Sequence, residues 1–517
     1  MGFTLQLGSV ATYALIALVG SVFYYIALYV RREVAIRKIG GQRAYMVYNN
    51  PLSAIPFTRK ILKYADENRL LDLYDSIYDS LPSSSSNIYE VQATPGFRSI
   101  ETREPAHVKA VLAGQFSDFG KGPVFHRIWS PFLGDSIFTT DGKRWQQSRS
   151  LIRPMFLTDR ISDLYTFERG ISKLMSLLPT PGQTVEISDL FFRMTLDTTT
   201  EFLLGSSVNS LDHPDGDFTF AFNDILDHQI TLSTLRLLSP FDKLLFRTKR
   251  AYNRHIKTIE SFINPFIERT LAIPSEELEK LTKSDTQFTF LHSLARLNRD
   301  PKFIRDQIVA VLLAGRDTTA TTLSWAFYEL AACPDKVARL RAEVLEVVGK
   351  NEDPSYEALK NMKYLRYVLQ EVLRLHPAVP LNVKEALADT TLPGVDGRPD
   401  ISVCKGDFVC YAPLTLHLRR DLYPPVSDTF ADPRTFSPER WYTWQPKPWE
   451  YIPFNGGPRI CPGQNFAMTE MAYCMIRLLQ KYDRIQYRGD WHAQRDSTSV
   501  ISRPAYGVPV ALFEAED

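Results

Sequence analysis

One long helical segment in the second half of the chain constrains the fold more than any other feature. It opens at Asp300-Pro301, a capping residue followed by proline at the first helical position, and it can continue to Ala332 before another proline stops it. Such a helix is well above the average length in globular proteins, so we expect it to cross the whole molecule. Helical periodicity also dominates the rest of the region 105–375, with short polar loops between the segments.

The pattern changes in the last third of the chain. A second important helix is predicted at about 363–375, where apolar residues recur at helical spacing. Between Pro377 and Pro453, prolines and glycines are frequent and short runs such as Phe408 to Tyr411 favour strands. We see no internal repeat and no second hydrophobic core with its own boundary. The prediction is one mainly α domain with small β-sheets over residues 41–517.

The N-terminus carries a targeting signal. Gly8 to Val30 gives 23 mostly apolar residues, which is enough to span a bilayer as one helix. Basic residues follow at Arg31 and Arg32 and none precedes the segment, so the positive-inside rule places the rest of the chain in the cytosol. A cleaved signal peptide or a buried core helix is the alternative. We predict a single-pass anchor over residues 1–40, in the endoplasmic reticulum membrane.

Composition excludes several classes of function. The net charge is +1, from 60 basic and 59 acidic residues, so nothing suggests a nucleic-acid or polyanion partner. The five cysteines show no zinc-type spacing, and an odd number in a long chain fits a reducing compartment.

One cysteine is framed by residues that suit a metal-bound thiolate. The stretch reads Phe454-Asn455-Gly456-Gly457-Pro458-Arg459-Ile460-Cys461-Pro462-Gly463. Pro462 fits the first position of a helix, so Cys461 is predicted at a helix N-terminus, where backbone N–H groups and the helix dipole favour a thiolate. The glycines let the backbone approach a flat cofactor, the arginine can meet an anionic edge, and the phenylalanine can cover the sulfur. The cofactor this suggests is haem with a proximal cysteine, and the alternative is a structural buried cysteine.

The long helix holds an acid and a hydroxyl near its middle, in Ala314-Gly315-Arg316-Asp317-Thr318-Thr319. These residues lower helix propensity and need polar partners, so function explains them better than stability does. Asp317 and Thr318 could relay protons to bound dioxygen, and Thr318 could bond the carbonyl of Ala314 and open a groove in the helix. The alternative is an ordinary polar helix face.

Two further pairs stand at helical spacing. Glu371 and Arg374 are close enough to form an ion pair, and Trp145 and Arg149 lie one turn apart. The N–H groups of Trp145 and Arg149 could both bond a haem propionate. Each pair is commonplace when taken alone.

Taken together and in this order, the motifs resemble those of the cytochrome P450 haem-thiolate monooxygenases. The haem-binding signature of that family matches at Phe454, Gly457, Arg459, Cys461 and Gly463. The resemblance implies the cytochrome P450 fold, with Cys461 as the axial ligand of the haem iron and with Asp317 and Thr318 as catalytic residues.

The resemblance also implies roles for residues outside the signature. These are cofactor contacts for Trp145, Arg149, Arg459 and Lys384, and a structural network of Glu371, Arg374 and Arg440. Lys384 stands where relatives often have an arginine, so a bidentate propionate contact becomes a point charge. Gln307 occupies the place of a glutamate that is esterified to haem in animal fatty-acid ω-hydroxylases. We therefore expect haem b to be bound non-covalently.

Longer stretches resemble the fungal alkane- and fatty-acid-hydroxylating branch of the family. They lie at 134–142, 191–197, 314–319 and 463–467. The expected reaction inserts one atom of O2 into a C–H bond of a fatty acid, alkane or other long aliphatic chain. The chain has no nucleotide-binding fingerprint, so electrons are expected from NADPH through a separate cytochrome P450 reductase. The predicted pocket walls for this lipophilic substrate are 124–137, the helix near Val311, 379–383 and 499–502.

Other functions stay open from the sequence. Pro462 and Lys384 depart from the hydroxylase branch, which leaves room for a P450 that oxidises a polyketide, terpenoid or peptide intermediate of secondary metabolism. Alternatives of another class are a reductase-independent haem isomerase or dehydratase and a non-catalytic haem protein. Intact Asp317 and Thr318 argue against the isomerase, because such an enzyme needs no proton relay for oxygen activation.

Overall fold

A computed structural model describes residues 2–48, 51–82, 85, 87–94, 97–156, 164–226, 250–281 and 288–514. The chain divides into two compact units. The first consists of Met1–Lys63, Leu73–Gly120 and Val383–Tyr411, and the second of Tyr64–Asp72, Lys121–Asn382 and Ala412–Asp517. The prediction of an anchor at 1–40 and one domain at 41–517 stays a prediction.

Helices account for most of the described structure. In chain order they are α1 Gly2–Ile39, α2 Pro51–Asp66, α3 Leu70–Ser80, α4 Pro105–Lys109, α5 Gly122–Leu133, α6 Gly142–Ile152, α7 Tyr165–Ser176, α8 Ile187–Leu204, α9 Arg250–Ala272, α10 Ser275–Lys280, α11 Phe290–Leu297, α12 Pro301–Ala331, α13 Pro334–Val347, α14 Tyr356–Asn361, α15 Lys363–Leu375, α16 Pro413–Leu416 and α17 Gln464–Lys481.

The strands are short. They are β1 Tyr45–Tyr48, β2 Ile88–Thr94, β3 Phe97–Thr102, β4 Phe119–Gly120, β5 Thr184–Glu186, β6 Asn382–Ala386, β7 Thr390–Leu392, β8 Ile401–Val403, β9 Phe408–Tyr411, β10 Tyr482–Tyr487, β11 Asp496–Thr498, β12 Ser502–Pro504 and β13 Pro509–Glu514. The predicted class, mainly α with small β-sheets, is confirmed.

The first unit is built on a six-stranded sheet in the order β1-β2-β3-β9-β6-β4. A fully buried guanidinium, that of Arg98, ties three segments of this unit together. It donates to Glu90 Oε2 at 3.0 Å and to Asp407 Oδ2 at 2.7 Å, and it also bonds the carbonyl of Ser402 at 2.9 Å. Both carboxylates are themselves buried, and each charge of the network contacts an opposite charge, which offsets the cost of burying it.

The N-terminal helix of the first unit differs from its prediction. The segment is helical from Gly2 to Ile39. Within the described residues, however, no helix combines the length and the apolar character that crossing a membrane requires, so the predicted transmembrane segment at 8–30 is not supported.

The second unit is organised around α12. The carboxylate of Asp300 accepts a hydrogen bond from the N–H of Lys302 at 3.0 Å, so the predicted cap and the start at Pro301 are confirmed. The helix is buried along most of its length from Ile304 to Leu330 and packs against α8, α9, α15 and α17. A hydrophobic environment on all sides explains why this helix lacks a polar stripe.

A glycine permits the close approach of α12 to α8. A Cβ atom added at Gly315 would lie 2.9 Å from Oγ1 of Thr199, a distance that real Cβ atoms rarely reach. We expect Gly315→Ala to lower the free energy of unfolding by about 1–3 kcal/mol in denaturant titrations, because the two helices must separate. Gly20→Ala, in an open helical position, is the control and should be neutral or stabilising. Equal effects of the two substitutions would contradict the packing argument.

A buried histidine joins three elements of this unit. Nε2 of His376 lies 2.8 Å from Oε1 of Glu329 on α12, and Nδ1 lies 3.9 Å from Oδ1 of Asp496 on β11. The imidazole stacks on the ring of Trp325 with centroids 3.9 Å apart. Burial alone would lower the pKa of His376, but the nearby carboxylates of Asp496 and Glu329 raise it to about 9.

This histidine makes stability depend on pH. Its folded pKa lies above the ordinary value of 6.5, so its stabilisation is fully present below pH 6.5 and is lost as the pH rises through about 9. We expect His376→Gln to lower the free energy of unfolding by about 3 kcal/mol at pH 6 and by much less at pH 10, measured by urea titration. His492→Gln, at an exposed site, is the control and should change the free energy of unfolding little. An equal loss from His376→Gln at both pH values would refute the assignment.

Candidate active site

Cys461 lies in a closed loop just before α17. Its N–H donates to the carbonyl of Phe454 at 2.9 Å, which closes the loop. Helix α17 begins at Gln464 with Gly463 as its N-cap, so the helix starts two residues later than predicted from Pro462, and Cys461 stands three residues before its first residue. The reason is that Pro462 and Gly463 form a turn instead of helix.

Burial and nearby polar groups act in opposite directions on the Cys461 thiol. Burial raises the pKa of this thiol, whereas a hydrogen bond from the N–H of Gly463 and the charge of Arg149 lower it. These two contacts supply the positive field that the sequence interpretation had assigned to a helix terminus. A metal ion at the sulfur would add to it.

The loop needs glycine at two points. Gly457 has φ of +63°, in the left-handed region, and a Cβ atom at Gly456 would lie 2.5 Å from Cζ3 of Trp449. Phe454 is half-buried beside this bend. Larger side chains at Gly456 or Gly457 would therefore disturb the conformation of the loop between Phe454 and Arg459.

Three predicted cofactor contacts come together beside this loop. Trp145 is buried on α6, and its ring centroid lies 4.6 Å from Cζ of Arg459 and 5.8 Å from Cζ of Arg149. Arg149 donates to the carbonyl of Ile460 at 2.8 Å. Trp145 and Arg149, one turn apart in the chain, therefore lie on one face of α6, and this face contacts the cysteine loop.

Arg459 belongs to a cluster of charges. Its Nη2 donates to Oδ1 of Asp141 at 2.6 Å and to the carbonyl of Thr140 at 2.9 Å. Burial and the charge of Arg459 lower the pKa of Lys121 to about 8, and Asp141 partly offsets them. Arg459, Lys121 and the nearby Arg149 outnumber the single carboxylate, so this cluster suits an additional anion.

The middle of α12 presents a small accessible face. Between Asp306 and Leu330 only Ala314, Gly315 and Thr318 are not fully buried. The hydroxyl of Thr318 donates to the carbonyl of Ala314 at 2.7 Å, so the predicted contact within the helix is present. This contact adds a side-chain donor to one backbone carbonyl at the accessible face.

Asp317 is accompanied by a cation that the sequence interpretation did not include. Nη1 of Arg316 lies 3.1 Å from Oδ1 of Asp317, and both side chains are nearly inaccessible. Nη2 of Arg316 also donates to Asn223 at 2.6 Å. Adjacent residues on a helix do not face each other, so nothing in the spacing had indicated this pair.

The predicted structural network is complete and buried. Glu371 accepts from Arg374 through two bonds of 2.8 Å and from Nε of Arg440 at 2.9 Å. Nε1 of Trp441 and the N–H of Ser437 add bonds of 3.0 and 2.9 Å to the same carboxylate. Burial alone would raise the pKa of Glu371, but Arg374 and Arg440 hold it below its usual value.

Two further predicted positions have buried side chains. Lys384 is buried on β6 in the first unit. Gln307 is buried on α12, where its side chain bonds the carbonyl of Asp135 at 3.2 Å and the N–H of Ile137 at 3.3 Å. It therefore anchors part of the predicted pocket wall 124–137 to the helix.

Asp141 is a further residue that sequence reasoning missed. Besides Arg459, its carboxylate accepts from the N–H groups of Lys121 and Gly122 at 2.8 Å each. The sequence marks Asp141 only as the residue before α6, yet its partners are 19 and 20 positions away at the start of α5. No local pattern predicts such a contact.

The residues present fit a haem with a cysteine ligand. One half-buried thiol with nearby N–H and guanidinium groups suits an axial thiolate, and the cations around Trp145 suit the carboxylate substituents of a haem. The family comparison agrees, since residues 88–508 match the cytochrome P450 family model. The chain belongs to the cytochrome P450 family. Its cofactor is accordingly haem.

Relatives of this P450 come from fungi. A cytochrome P450 monooxygenase, pvhE of Talaromyces variabilis, is 45% identical over 81% of this chain and 80% of its own length. Cytochrome P450 52A13 of Debaryomyces hansenii is 39% identical, over 84% of this chain and 85% of that protein. Cytochrome P450 52A1 of Candida tropicalis is 38% identical over 82% and 78%.

A solved structure supports the fold. The crystal structure of the haem domain of cytochrome P450DA matches with a TM-score of 0.71 and 20% identity, over 88% of this chain and 94% of that one. The predicted family, its oxidoreductase class and the cytochrome P450 fold are confirmed. As a P450, the protein is expected to use a redox partner and a lipophilic substrate.

Proposed function

We propose that this P450 hydroxylates a fatty acid, an alkane or another long aliphatic chain. The observation that carries the proposal is the Thr318–Ala314 contact next to Asp317, at the accessible face of an otherwise buried helix. A hydroxyl and a carboxylate at this place suit an enzyme that must deliver protons to bound dioxygen. The relatives named 52A and the stretches that resemble the hydroxylase branch support the substrate class.

Each residue then has a defined task. Cys461 would hold the haem iron, with Gly463 and Arg149 stabilising its negative charge. Arg459, Arg149 and Trp145 would bind the propionates, and Lys384 remains a candidate for the same role. When bound, the haem supplies the oxygen-activating redox chemistry that amino acids lack. Asp317 and Thr318 would hold and move protons on the distal side.

The cofactor and the source of electrons follow from the same proposal. We propose haem b held without a covalent link, because Gln307 carries an amide that cannot form the ester and is already bonded to the backbone. Electrons would come from NADPH-cytochrome P450 reductase. The exposed Lys143 and Arg144 on α6 suit contact with an acidic protein.

We further propose that the enzyme works at the endoplasmic reticulum membrane. The exposed apolar side chains of α1, among them Leu15, Ile16 and Phe23, support attachment to a lipid surface. Replacing these three by serine should move the protein from the microsomal to the soluble fraction. An unchanged distribution of the protein between the two fractions would refute the proposal that these side chains attach it to the membrane.

The reaction is tested with Thr318→Ala. We expect unchanged haem content but loss of product per NADPH consumed, because proton delivery fails while the cofactor stays bound. Thr322→Ala is a matched control, since Thr322 bonds the carbonyl of Thr318 one turn further along at 2.8 Å and is fully buried. Equal coupling in both variants would contradict the role of Thr318.

The substrate is tested by incubating the enzyme with reductase, NADPH and a panel of fatty acids, alkanes and natural-product intermediates, with products read by mass spectrometry. Hydroxylated straight chains would support the proposal. Turnover of only a polyketide, terpenoid or peptide would favour the secondary-metabolite alternative. Turnover without NADPH and reductase would favour an isomerase or dehydratase.

A further inference from the structure

An arginine is buried on α12 together with the proposed catalytic acid. Arg316 has 4% of its surface exposed and Asp317 has 3%. Nη1 of Arg316 lies 3.1 Å from Oδ1 of Asp317, so the two opposite charges are in contact. Replacing such a buried ion pair by apolar side chains is often neutral or stabilising. Stability alone therefore does not explain why α12 carries a charged pair at this point.

Three contacts from neighbouring helices fix the guanidinium of Arg316. Its Nη2 donates to Oδ1 of Asn223, in the helical residues 217–226, at 2.6 Å. Its Cζ lies 5.2 Å from the ring centroid of Phe222 and 5.4 Å from that of Phe192 on α8. A planar guanidinium suits this combination, because it can stack on aromatic rings and still donate to polar partners. A lysine would keep the charge without the same set of contacts.

The same helical residues connect Arg316 to the predicted substrate pocket. The ring of Phe222 is fully buried and packs edge-on against the ring of Phe132, with centroids 6.1 Å apart. Phe132, on α5, belongs to the predicted pocket wall 124–137. A series of contacts therefore runs from this wall through Phe222 to Arg316 and ends at Asp317.

We propose that Arg316 is a positioning residue that sets the place of the Asp317 carboxylate according to the packing of the pocket wall. This role rests on the proposed hydroxylase function, in which Asp317 holds and moves protons. A substrate that presses on the wall near Phe132 displaces the ring of Phe222, because a close-packed interior transmits such strain. The guanidinium stacked on this ring moves with it and carries the carboxylate along. Proton handling is then efficient only when a chain of suitable length fills the pocket.

The first test measures the ion pair without turnover. Free energies of unfolding are compared by denaturant titration for the wild type, Arg316→Met, Asp317→Asn and the double variant. We expect Asp317→Asn to recover most of the stability that Arg316→Met loses, because it removes the opposite charge as well. Strictly additive losses would show that the two side chains do not act on each other and would overturn the proposal.

The second test measures product formed per NADPH consumed, with reductase and straight-chain substrates of increasing length. We expect Arg316→Met to keep its haem but to lower this ratio by roughly tenfold, and Arg316→Lys to restore part of it. Arg305→Met is the matched control. Arg305 also precedes an aspartate on α12, with its Nη2 2.8 Å from Oδ1 of Asp306, and Lys302 contacts the same carboxylate. This variant should couple like the wild type.

Two milder variants test the connection to the pocket wall. Asn223→Ala removes the polar partner of Arg316 at an exposed residue, so the fold should tolerate it even where Arg316→Met does not fold. Phe222→Leu removes the ring on which the guanidinium stacks. Each should lower the ratio less than Arg316→Met does and should change the chain length that gives the best ratio. A purely structural role would leave that preferred length unchanged.

The outcomes separate this role from the proposed function. If the wild type oxygenates no substrate, the proposed function fails and the role of Arg316 falls with it. If the wild type turns over and Arg316→Met, Asn223→Ala and Phe222→Leu match it at every chain length, only the role of Arg316 fails.

Discussion

Replacing Cys461 by alanine is expected to abolish the thiolate-type absorption spectrum of the reduced carbon monoxide complex, together with all turnover. Cys461 carries the only thiol in the loop that runs from Phe454 to Gly463. The N–H of Gly463 and the charge of Arg149 are directed to its sulfur. No other residue of this loop can provide an anionic axial ligand to iron. The measurement is a difference spectrum of the purified protein.

Cys333→Ala serves as the control for this prediction. Cys333 is half-buried at the start of α13, in another part of the second unit. Its removal should leave the spectrum unchanged. A thiolate spectrum that persists in Cys461→Ala would exclude Cys461 as the ligand and with it the arrangement proposed for the site.

Replacing Glu371 by alanine is expected to lower the free energy of unfolding by about 3–5 kcal/mol and to prevent stable haem incorporation. The substitution leaves the buried guanidinium groups of Arg374 and Arg440 without their shared counter-charge. It also removes the acceptor of Trp441 Nε1 and of the Ser437 N–H, so the segment 437–441 loses these bonds to α15. Denaturant titration and haem content per protein check the result.

A surface ion pair with the same spacing provides the control for Glu371. Glu357 and Lys360 stand at i and i+3 on α14, with exposed side chains 3.6 Å apart. Glu357→Gln should change stability by less than about 0.5 kcal/mol, because solvent screens exposed pairs. Similar losses from Glu357→Gln and Glu371→Ala would show that burial does not govern the network.

Local patterns predicted those parts of the fold that depend on local physics. The bounds of α12 and α15 followed from an aspartate cap, prolines and apolar spacing, and they differ from the structure by no more than one residue. The strand at 408–411 followed from a short β-favouring run. The start of α17 was misjudged because proline at Pro462 is as compatible with a turn as with a first helical position.

The site was predictable as a set of motifs but not as a set of contacts. The pairing of Glu371 with Arg374 was visible in the spacing, whereas Trp441 and Ser437 reach the same carboxylate from about 70 residues away. Asp141 and Arg316 carry no signature, because their contacts with Lys121, Gly122 and Asn223 are set by tertiary packing and not by spacing along the chain.

The sheet of the first unit has a consequence for biosynthesis. Its strand β3 pairs with β9, and the buried Arg98 on β3 contacts Asp407, which lies 309 residues later. At ordinary elongation rates the ribosome needs on the order of tens of seconds to supply the second partner. During that interval Arg98 lacks its partner Asp407, and the edge of β3 that pairs with β9 is uncovered. The demand of the nascent chain for chaperones should therefore be highest before residue 411 emerges.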